Sequence, residues 1–224
     1  AGSAGPPPAH RPDRRLLVLC AVFRGSRGLG EYARGTSRSV RTYGAHEDAD
    51  VRLTAAMPTD VGGRAELLVG KRSHELVLQV PGRHKLENAA GAVTVLTEAC
   101  GLNPEEALRG LASFSGAARR FESHGEPLGV RVIDDYAHNA PKVTAAVRTG
   151  RDMADRRDGR LIVIFQPHLY SRTRDFAQEF AAALEPADEV VLLAVYAARE
   201  DPIEGVSSTL ISDRMSGRGQ ARRV

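Results

Sequence analysis

Short apolar runs in the first part of the chain have the length of strands. Leu16–Phe23 is followed by Gly25 and by a stretch compatible with a helix up to Ala33, and Val40–Tyr43 is the next run. This order predicts a β-α-β unit. Turn formers then separate three more strand candidates, which predict an antiparallel meander: Val51–Met57, Glu66–Val69 and Glu75–Val80.

After Gly82 the apolar period changes to that of a helix. Six residues fall on one helical face before Gly101 stops the pattern: Leu86, Ala89, Ala90, Val93, Leu96 and Cys100. Asn103 followed by Pro104 predicts the capped start of a second helix. The small and polar stretch Ser113–Ala118 predicts a domain boundary.

Strand and helix patterns alternate in the second half of the chain. The apolar runs Val130–Ile133, Leu161–Phe165 and Val190–Val195 predict strands, and the last two, which are fully apolar, predict buried strands. Between them, Val143–Met153 and Phe176–Leu184 have the pattern of helices. The alternation predicts an α/β protein whose second domain has a mostly parallel sheet with helices on its faces.

The two ends of the chain lack these patterns. Residues 1–15 are rich in Pro and residues 212–224 in Arg and Gly, and both segments are predicted to be disordered. No stretch approaches the roughly 18 consecutive apolar residues of a membrane span. Residues 1–15 also have no apolar signal-peptide core. We therefore expect a cytoplasmic protein without a membrane partner.

Charge and cysteine content exclude some classes of function. The 31 Lys and Arg residues nearly balance the 28 Asp and Glu residues and are spread along the chain. Without a basic stripe, a nucleic-acid partner is not expected. Cys20 lies in an apolar run and Cys100 ends a helix pattern, so both are expected to be buried free thiols. Neither is expected to be a nucleophile, because no His or acid is patterned around it.

Two polar clusters, Asp134–Asn139 and Gln166–Thr173, directly follow predicted strands. In open α/β sheets, ligands bind outside the carboxyl ends of the strands. A carboxylate there can accept ribose hydroxyls, a His can titrate near neutral pH, and an Arg can hold a carboxylate or phosphate. The alternative is that Asp134 and Asp135 only cap the next helix and that Arg172 is a solvated first-turn residue.

Two further segments have weaker signals. His84 and Asn88 lie four residues apart on one face at a helix N-terminus, where an anion or a nucleobase edge can bind. The alternative is an ordinary capped core helix. The pair Arg119-Arg120 opens the second domain and is either a phosphate clamp or, more commonly, a surface feature.

Four segments, in this order and spacing, resemble the Mur ligases. They are VPGRHKLENAAGAV (80–93), FSGAARRFESHG (114–125), VIDDYAHNAPKV (132–143) and FQPHLYSRTRDF (165–176), with a weaker match at 195–208. The resemblance implies the latter part of a central ATP-binding domain, residues 16–117, and a Rossmann-like C-terminal domain, residues 118–211. The segment FQPHLYSRT is similar to the alanine-adding members of the family.

The resemblance also implies an activity and its site. Alanine-adding members use ATP and Mg²⁺ to join L-alanine to UDP-N-acetylmuramate through an acyl phosphate, in peptidoglycan synthesis. The implied ATP contacts are His84, Asn88, Arg120 and Asp135. The residues implied around the incoming amino acid are Tyr136, His138, His168 and Arg172. Of these, His138, His168 and Arg172 are the catalytic candidates, and no metal ligand is implied.

Several positions depart from the family pattern. Lys85 replaces an Asn, Leu169 replaces an Arg, and Ala140-Pro141 replaces a Pro at position 140. The family's Gly-Lys-Thr phosphate loop is absent, because its nearest match, Gly70–Arg72, has Ala65 where a Gly is required and Arg72 where a Ser or Thr is required. We therefore expect a fragment that does not turn over alone. The alternatives are a degenerate nucleotide- or amino-acid-binding remnant, a sister Mur-type ligase, or a structural domain without a ligand.

Overall fold

The computed structural model describes residues 16–20, 39–215 and 220–223. The chain divides into two compact units, Ala1–Ser115 and Gly116–Val224. Each unit has its own cluster of buried apolar residues. The helix predicted before Ala33 and the disorder predicted for residues 1–15 lie outside the described residues.

The first unit contains a five-stranded sheet with its strands in chain order. β1 pairs parallel with β2 and β2 pairs parallel with β3, whereas β3, β4 and β5 are antiparallel. The strands are β1 (Leu16–Cys20), β2 (Ser39–Gly44), β3 (Val51–Pro58), β4 (Gly63–Val69) and β5 (Arg72–Leu78). The predicted parallel pair and the predicted meander are both confirmed.

Two helices cover one face of this sheet. Along β4 the residues alternate between buried and exposed, as a strand with one covered face requires. Helix α1 (Arg83–Glu98) packs on that face, and Gly91 lies so close to Tyr43 that a Cβ there would stand 2.7 Å from the ring. Helix α2 (Pro104–Ala112) begins as predicted, since the Asn103 side chain accepts from the Glu105 amide at 2.9 Å.

The dipeptide Gly70-Lys71 connects β4 to β5, with Val69 opposite Arg72 in the ladder. Gly70 has a φ of 61°, in the left-handed region that glycine adopts without strain. A phosphate-binding loop of the Gly-Lys-Thr type connects a strand to a helix. This segment is a hairpin turn and not such a loop, as expected.

The second unit contains a three-stranded sheet and a separate hairpin. Its parallel sheet has the order β10-β9-β8, formed by β8 (Ile162–Phe165), β9 (Glu189–Leu192) and β10 (Gln220–Arg223). The hairpin pairs β6 (Arg120–Ser123) with β7 (Ile133–Asp135). The helices are α3 (Ala140–Arg156), α4 (Tyr170–Asp175), α5 (Ala177–Leu184) and α6 (Thr209–Ser212). The predicted α/β class is confirmed.

The strand predicted at Val130–Ile133 is wrong in extent and in partner. The observed strand begins at Ile133, includes Asp134 and Asp135, and pairs antiparallel with β6 outside the parallel sheet. Val130 and Val132 are exposed, at 60% and 43%. The apolar run therefore predicted the strand a few residues too early, because the side chains of Val130 and Val132 do not face a core.

Three smaller expectations also fail. The predicted disorder of residues 212–224 is wrong for residues 220–223, because an edge strand needs only the backbone hydrogen bonds of its neighbour β9. Cys100 is exposed, since α1 ends before it at Glu98. The run Leu161–Phe165 is buried on one face only, because Ile162 and Ile164 are exposed.

The core of the second unit fixes the ends of β8 and β9. Phe180 of α5 is 1% exposed and packs against Phe165, with ring centroids 5.4 Å apart. Arg151 of α3 forms an ion pair with Asp188 at 2.6 Å, and Asp188 also accepts from the Leu161 amide. Among the described helices of either unit, none is both long and apolar enough to cross a membrane.

Candidate functional site

The carboxyl ends of β8 and β9 run side by side into the loops that carry the second polar cluster. Tyr196 donates its backbone N–H to Pro167 O at 2.8 Å and accepts from the Leu169 amide at 2.9 Å. The pairing of the two strands thus continues as a parallel bridge between His168 and Tyr196. This holds His168 and the start of α4 in a fixed position.

The segment after β7 meets these loops through Arg172. Nη1 of Arg172, which is half-buried on α4, donates to His138 O at 2.9 Å. The ring of His138 lies 4.8 Å from that of Tyr136 and 6.2 Å from that of His168. The structure therefore brings together four residues from two separate sequence clusters. Arg172 is not the solvated first-turn residue of the alternative interpretation.

A hydrogen bond fixes which nitrogen of His138 carries a proton. Nδ1 lies 2.9 Å from Tyr136 O. A carbonyl oxygen only accepts, so Nδ1 is the donor and a neutral His138 keeps its lone pair on Nε2. That nitrogen can accept a proton or a hydrogen bond from a ligand.

The surroundings of His168 lower the pKa of its imidazole. Burial lowers the pKa of its imidazole, and the nearby charges of Arg172 and His138 lower it further, whereas Glu200 opposes them. Its Nδ1 is a buried polar atom without a hydrogen-bond partner among the described residues. A buried unpaired nitrogen is costly and calls for a ligand or a water.

Two charged residues near this cluster were not predicted from the sequence to belong to it. Arg119 lies 4.7 Å from the centroid of the Tyr136 ring and 3.5 Å from Asp134. It therefore contacts the cluster and is not a basic surface residue without neighbours. Glu200 accepts from the amide and the hydroxyl of Ser171. The strand-end rule applied to β9 would have found Glu200, whereas Arg119 carried no signal beyond its charge.

The hairpin places Asp135 opposite Arg120. The two residues are direct partners in the β6–β7 ladder, and both belong to the implied ATP set. Asp134 and Asp135 do not cap the next helix, because the Asn139 side chain accepts from the Lys142 amide at 3.1 Å. The capping alternative for the two aspartates is therefore wrong.

In the first unit, His84 and Asn88 lie in the first two turns of α1. Its N-cap residue is Gly82, whose φ is 107°, and no side chain caps the helix. The apolar face of α1 is buried in the core of the first unit, so the alternative of a core helix stays open. Asn88 is exposed. Burial, followed by the charge of Lys85, lowers the pKa of His84 to about 4.

The depressed pKa of His84 predicts a loss of stability in mild acid. The unfolded chain, with a His pKa of 6.5, takes up a proton that the folded chain resists down to about 4. The stabilising contribution is complete above 6.5 and disappears as the pH falls through that window. Urea unfolding at pH 7 and pH 4.5 should show a smaller loss for His84→Gln than for the parent chain. Equal losses would contradict this prediction.

Comparison with known proteins adds independent findings. Residues 119–224 match the family model described as "Mur ligase, glutamate ligase domain". The chain is 48% identical over 206 residues to a protein of Paenarthrobacter aurescens (strain TC1) named UDP-N-acetylmuramate--L-alanine ligase. It is 51% identical over 198 residues to a protein of that name from Kineococcus radiotolerans. These alignments cover 91% and 88% of this chain but only 43% and 41% of the relatives.

Solved structures show the same relationship. The UDP-N-acetylmuramate-alanine ligase MurC of Thermotoga maritima superposes with a TM-score of 0.62 at 29% identity, covering 82% of this chain and 39% of that one. MurF of Acinetobacter baumannii gives a TM-score of 0.70 at 19% identity, covering 92% and 42%. The second likeness shows the fold alone. The chain spans about two fifths of the length of these relatives.

Proposed function

Because this chain belongs to the Mur ligase family, we propose that it takes part in the ATP-dependent joining of L-alanine to UDP-N-acetylmuramate. The observation that carries this proposal is its identity of 48% and 51%, over about nine tenths of its length, to ligases named for this reaction. The proposal includes a place in peptidoglycan synthesis. It also includes a cytoplasmic location, where ATP is available.

Arg172 is the proposed ligand of the alanine carboxylate. A guanidinium has five N–H donors in a planar fork, and one Arg172 nitrogen is used in the bond to His138 O. The remaining donors suit a carboxylate, which accepts two parallel hydrogen bonds. The bond to His138 fixes the direction in which the fork points.

The proposed role of His138 is to accept a proton from the alanine ammonium group. An amine attacks an acyl phosphate only after it has lost that proton, and Nε2 of a neutral His138 is the available base. The rings of His168 and Tyr136 lie close to the ring of His138. His168 would contribute a hydrogen bond from or to its unpaired Nδ1. In this proposal the chain positions the amine and neutralises charge.

Asp135 and Arg120 are the proposed nucleotide contacts of the second unit. A carboxylate can accept both hydroxyls of a ribose, and a guanidinium beside it can bind a phosphate. The ladder of the hairpin places these two residues opposite each other. In the first unit, Asn88 is the proposed contact for the adenine base, with His84 beside it on the same helix.

Magnesium would enter this reaction with ATP and would neutralise the charge of the phosphate groups. Two groups of described residues place three possible metal ligands within 4.8 Å of one another: His46, Glu47 and Asp48, and Glu122, His124 and Asp134. Mg²⁺ prefers oxygen ligands, and each group includes a His nitrogen. Neither group fits a magnesium site, and no step proposed above depends on a metal held by this chain.

Adjacent aspartates offer a matched test of the nucleotide proposal. Successive residues of a strand point to opposite faces, so Asp134 and Asp135 cannot share one ligand contact. We expect Asp135→Ala to weaken ATP binding about tenfold or more, because a charged group loses its hydrogen bonds to the ribose. Asp134→Ala should change it less than about twofold, in the range of a surface substitution.

Isothermal titration with ATP and with adenosine makes this measurement. Loss of affinity for both ligands in Asp135→Ala, with Asp134→Ala unchanged, supports the ribose contact. Equal affinities for the parent chain and Asp135→Ala would refute it. A folded chain that binds neither ATP nor L-alanine would favour the alternative of a structural domain without a ligand.

A further inference from the structure

Helix α4, which carries Arg172, begins without a cap of its own. Its N-cap residue is Leu169, which has a φ of 74° and offers no side-chain oxygen. The first amides of a helix have no partner within the helix. A short helix that starts this way needs an acceptor from elsewhere in the fold.

Glu200 supplies that acceptor from the loop that follows β9. One carboxylate oxygen accepts from the Ser171 amide at 2.8 Å, and the other accepts from the Ser171 hydroxyl. These hydrogen bonds join positions 29 residues apart. They also lower the pKa of Glu200, so the group remains a carboxylate near neutral pH.

The contact between Glu200 and Ser171 lies next to Arg172, the proposed ligand of the alanine carboxylate. Arg172 follows Ser171 in the chain, and its guanidinium donates to His138 O in the loop after β7. The first turn of α4 thus contacts both Glu200 and the loop after β7. The negative charge of Glu200 acts on both Arg172 and His168.

We propose that Glu200 is a positioning residue. By capping α4 through Ser171, it fixes the direction in which Arg172 presents its guanidinium to the substrate carboxylate. The effect on ligand binding rests on the function proposed for Arg172. The positioning itself rests only on the contacts of Ser171 and Glu200.

The test compares two ligands that differ at the group that Arg172 would bind. L-Alaninamide lacks the carboxylate of L-alanine, so the ratio of the two affinities reports on Arg172. We expect Glu200→Ala to lower the affinity for L-alanine about tenfold, the size of a lost helix cap, and to leave that for L-alaninamide nearly unchanged. Glu200→Gln, which keeps one acceptor oxygen, should recover part of the loss. Glu204→Ala removes an exposed carboxylate of the same loop and should have no effect.

Titrations followed by NMR also monitor the Arg172 side-chain Nε–H signal and the exchange rate of the Ser171 amide. Both should change in Glu200→Ala and stay constant in Glu204→Ala. Equal loss of both ligands in Glu200→Ala would overturn the proposal in favour of general destabilisation, and unaltered binding would also overturn it. If the parent chain binds no L-alanine, the function of Arg172 fails, and the two NMR signals alone decide the positioning.

Discussion

Replacing Arg172 with alanine should lower the affinity for L-alanine by about 30-fold or more. The substitution removes a charged, bidentate partner and leaves the substrate carboxylate unpaired in a half-buried site, a change of roughly 2–5 kcal/mol. Arg172→Lys keeps the charge but not the planar fork, so its affinity should lie between those of the parent chain and Arg172→Ala. NMR titration with L-alanine measures all three.

Arg174 provides the matched control on the same helix. It is an exposed arginine whose Nε bonds to Asp175 at 2.7 Å. Exposed ion pairs of this kind contribute little, so Arg174→Ala should bind L-alanine like the parent chain. Similar affinities for Arg172→Ala and Arg174→Ala would show that Arg172 does not bind the carboxylate.

The second large effect is on the stability of the core beneath the site and not on ligand binding. Phe180 is 1% exposed and packs on Phe165 at the end of β8, directly before the segment that carries His168. Phe180→Ala should lower the free energy of unfolding of the second unit by about 3–5 kcal/mol, because it removes buried contacts and leaves a cavity. Urea unfolding followed by circular dichroism measures this change.

Phe176, four residues earlier, is the control for Phe180. Its side chain is 48% exposed. Phe176→Ala should lower the free energy of unfolding by about 1 kcal/mol or less, because folding removes less of this side chain from water. Equal losses for the two variants would contradict the assignment of Phe180 to the core.

Most elements could be predicted from local patterns. The alternation along β4 and the helical spacing from Leu86 to Leu96 reflect one buried face each, and such faces leave a direct trace in the sequence. The start of α2 was equally clear, because Asn103 and Pro104 are local signals. The elements that escaped prediction depend on partners distant in the chain.

The hairpin and the last strand illustrate this limit. β7 has three residues, two of them aspartates, and its strand conformation comes from pairing with β6. β10 likewise exists through its backbone pairing with β9. Neither strand needs an apolar pattern of its own, so the sequence alone gave no basis for placing them.

The candidate site was predictable in part for a related reason. The strand-end rule led to both clusters, although β7, which precedes the cluster at His138, pairs outside the parallel sheet that carries His168. The contact of Arg172 with a backbone oxygen, the burial of His84 and the capping of α4 by Glu200 depend on three-dimensional packing. No local pattern encodes these features.

The most direct test of the proposed ligase function is NMR titration of the isotope-labelled chain with L-alanine and, separately, with ATP and Mg²⁺. The account predicts that L-alanine shifts the signals of Tyr136, His138, His168 and Arg172, and that ATP shifts those of Asn88, Arg120 and Asp135. D-Alanine should give weaker shifts than L-alanine at the same positions. Saturable shifts confined to these residues would support the ligase function, whereas a folded chain whose signals respond to neither ligand would contradict it.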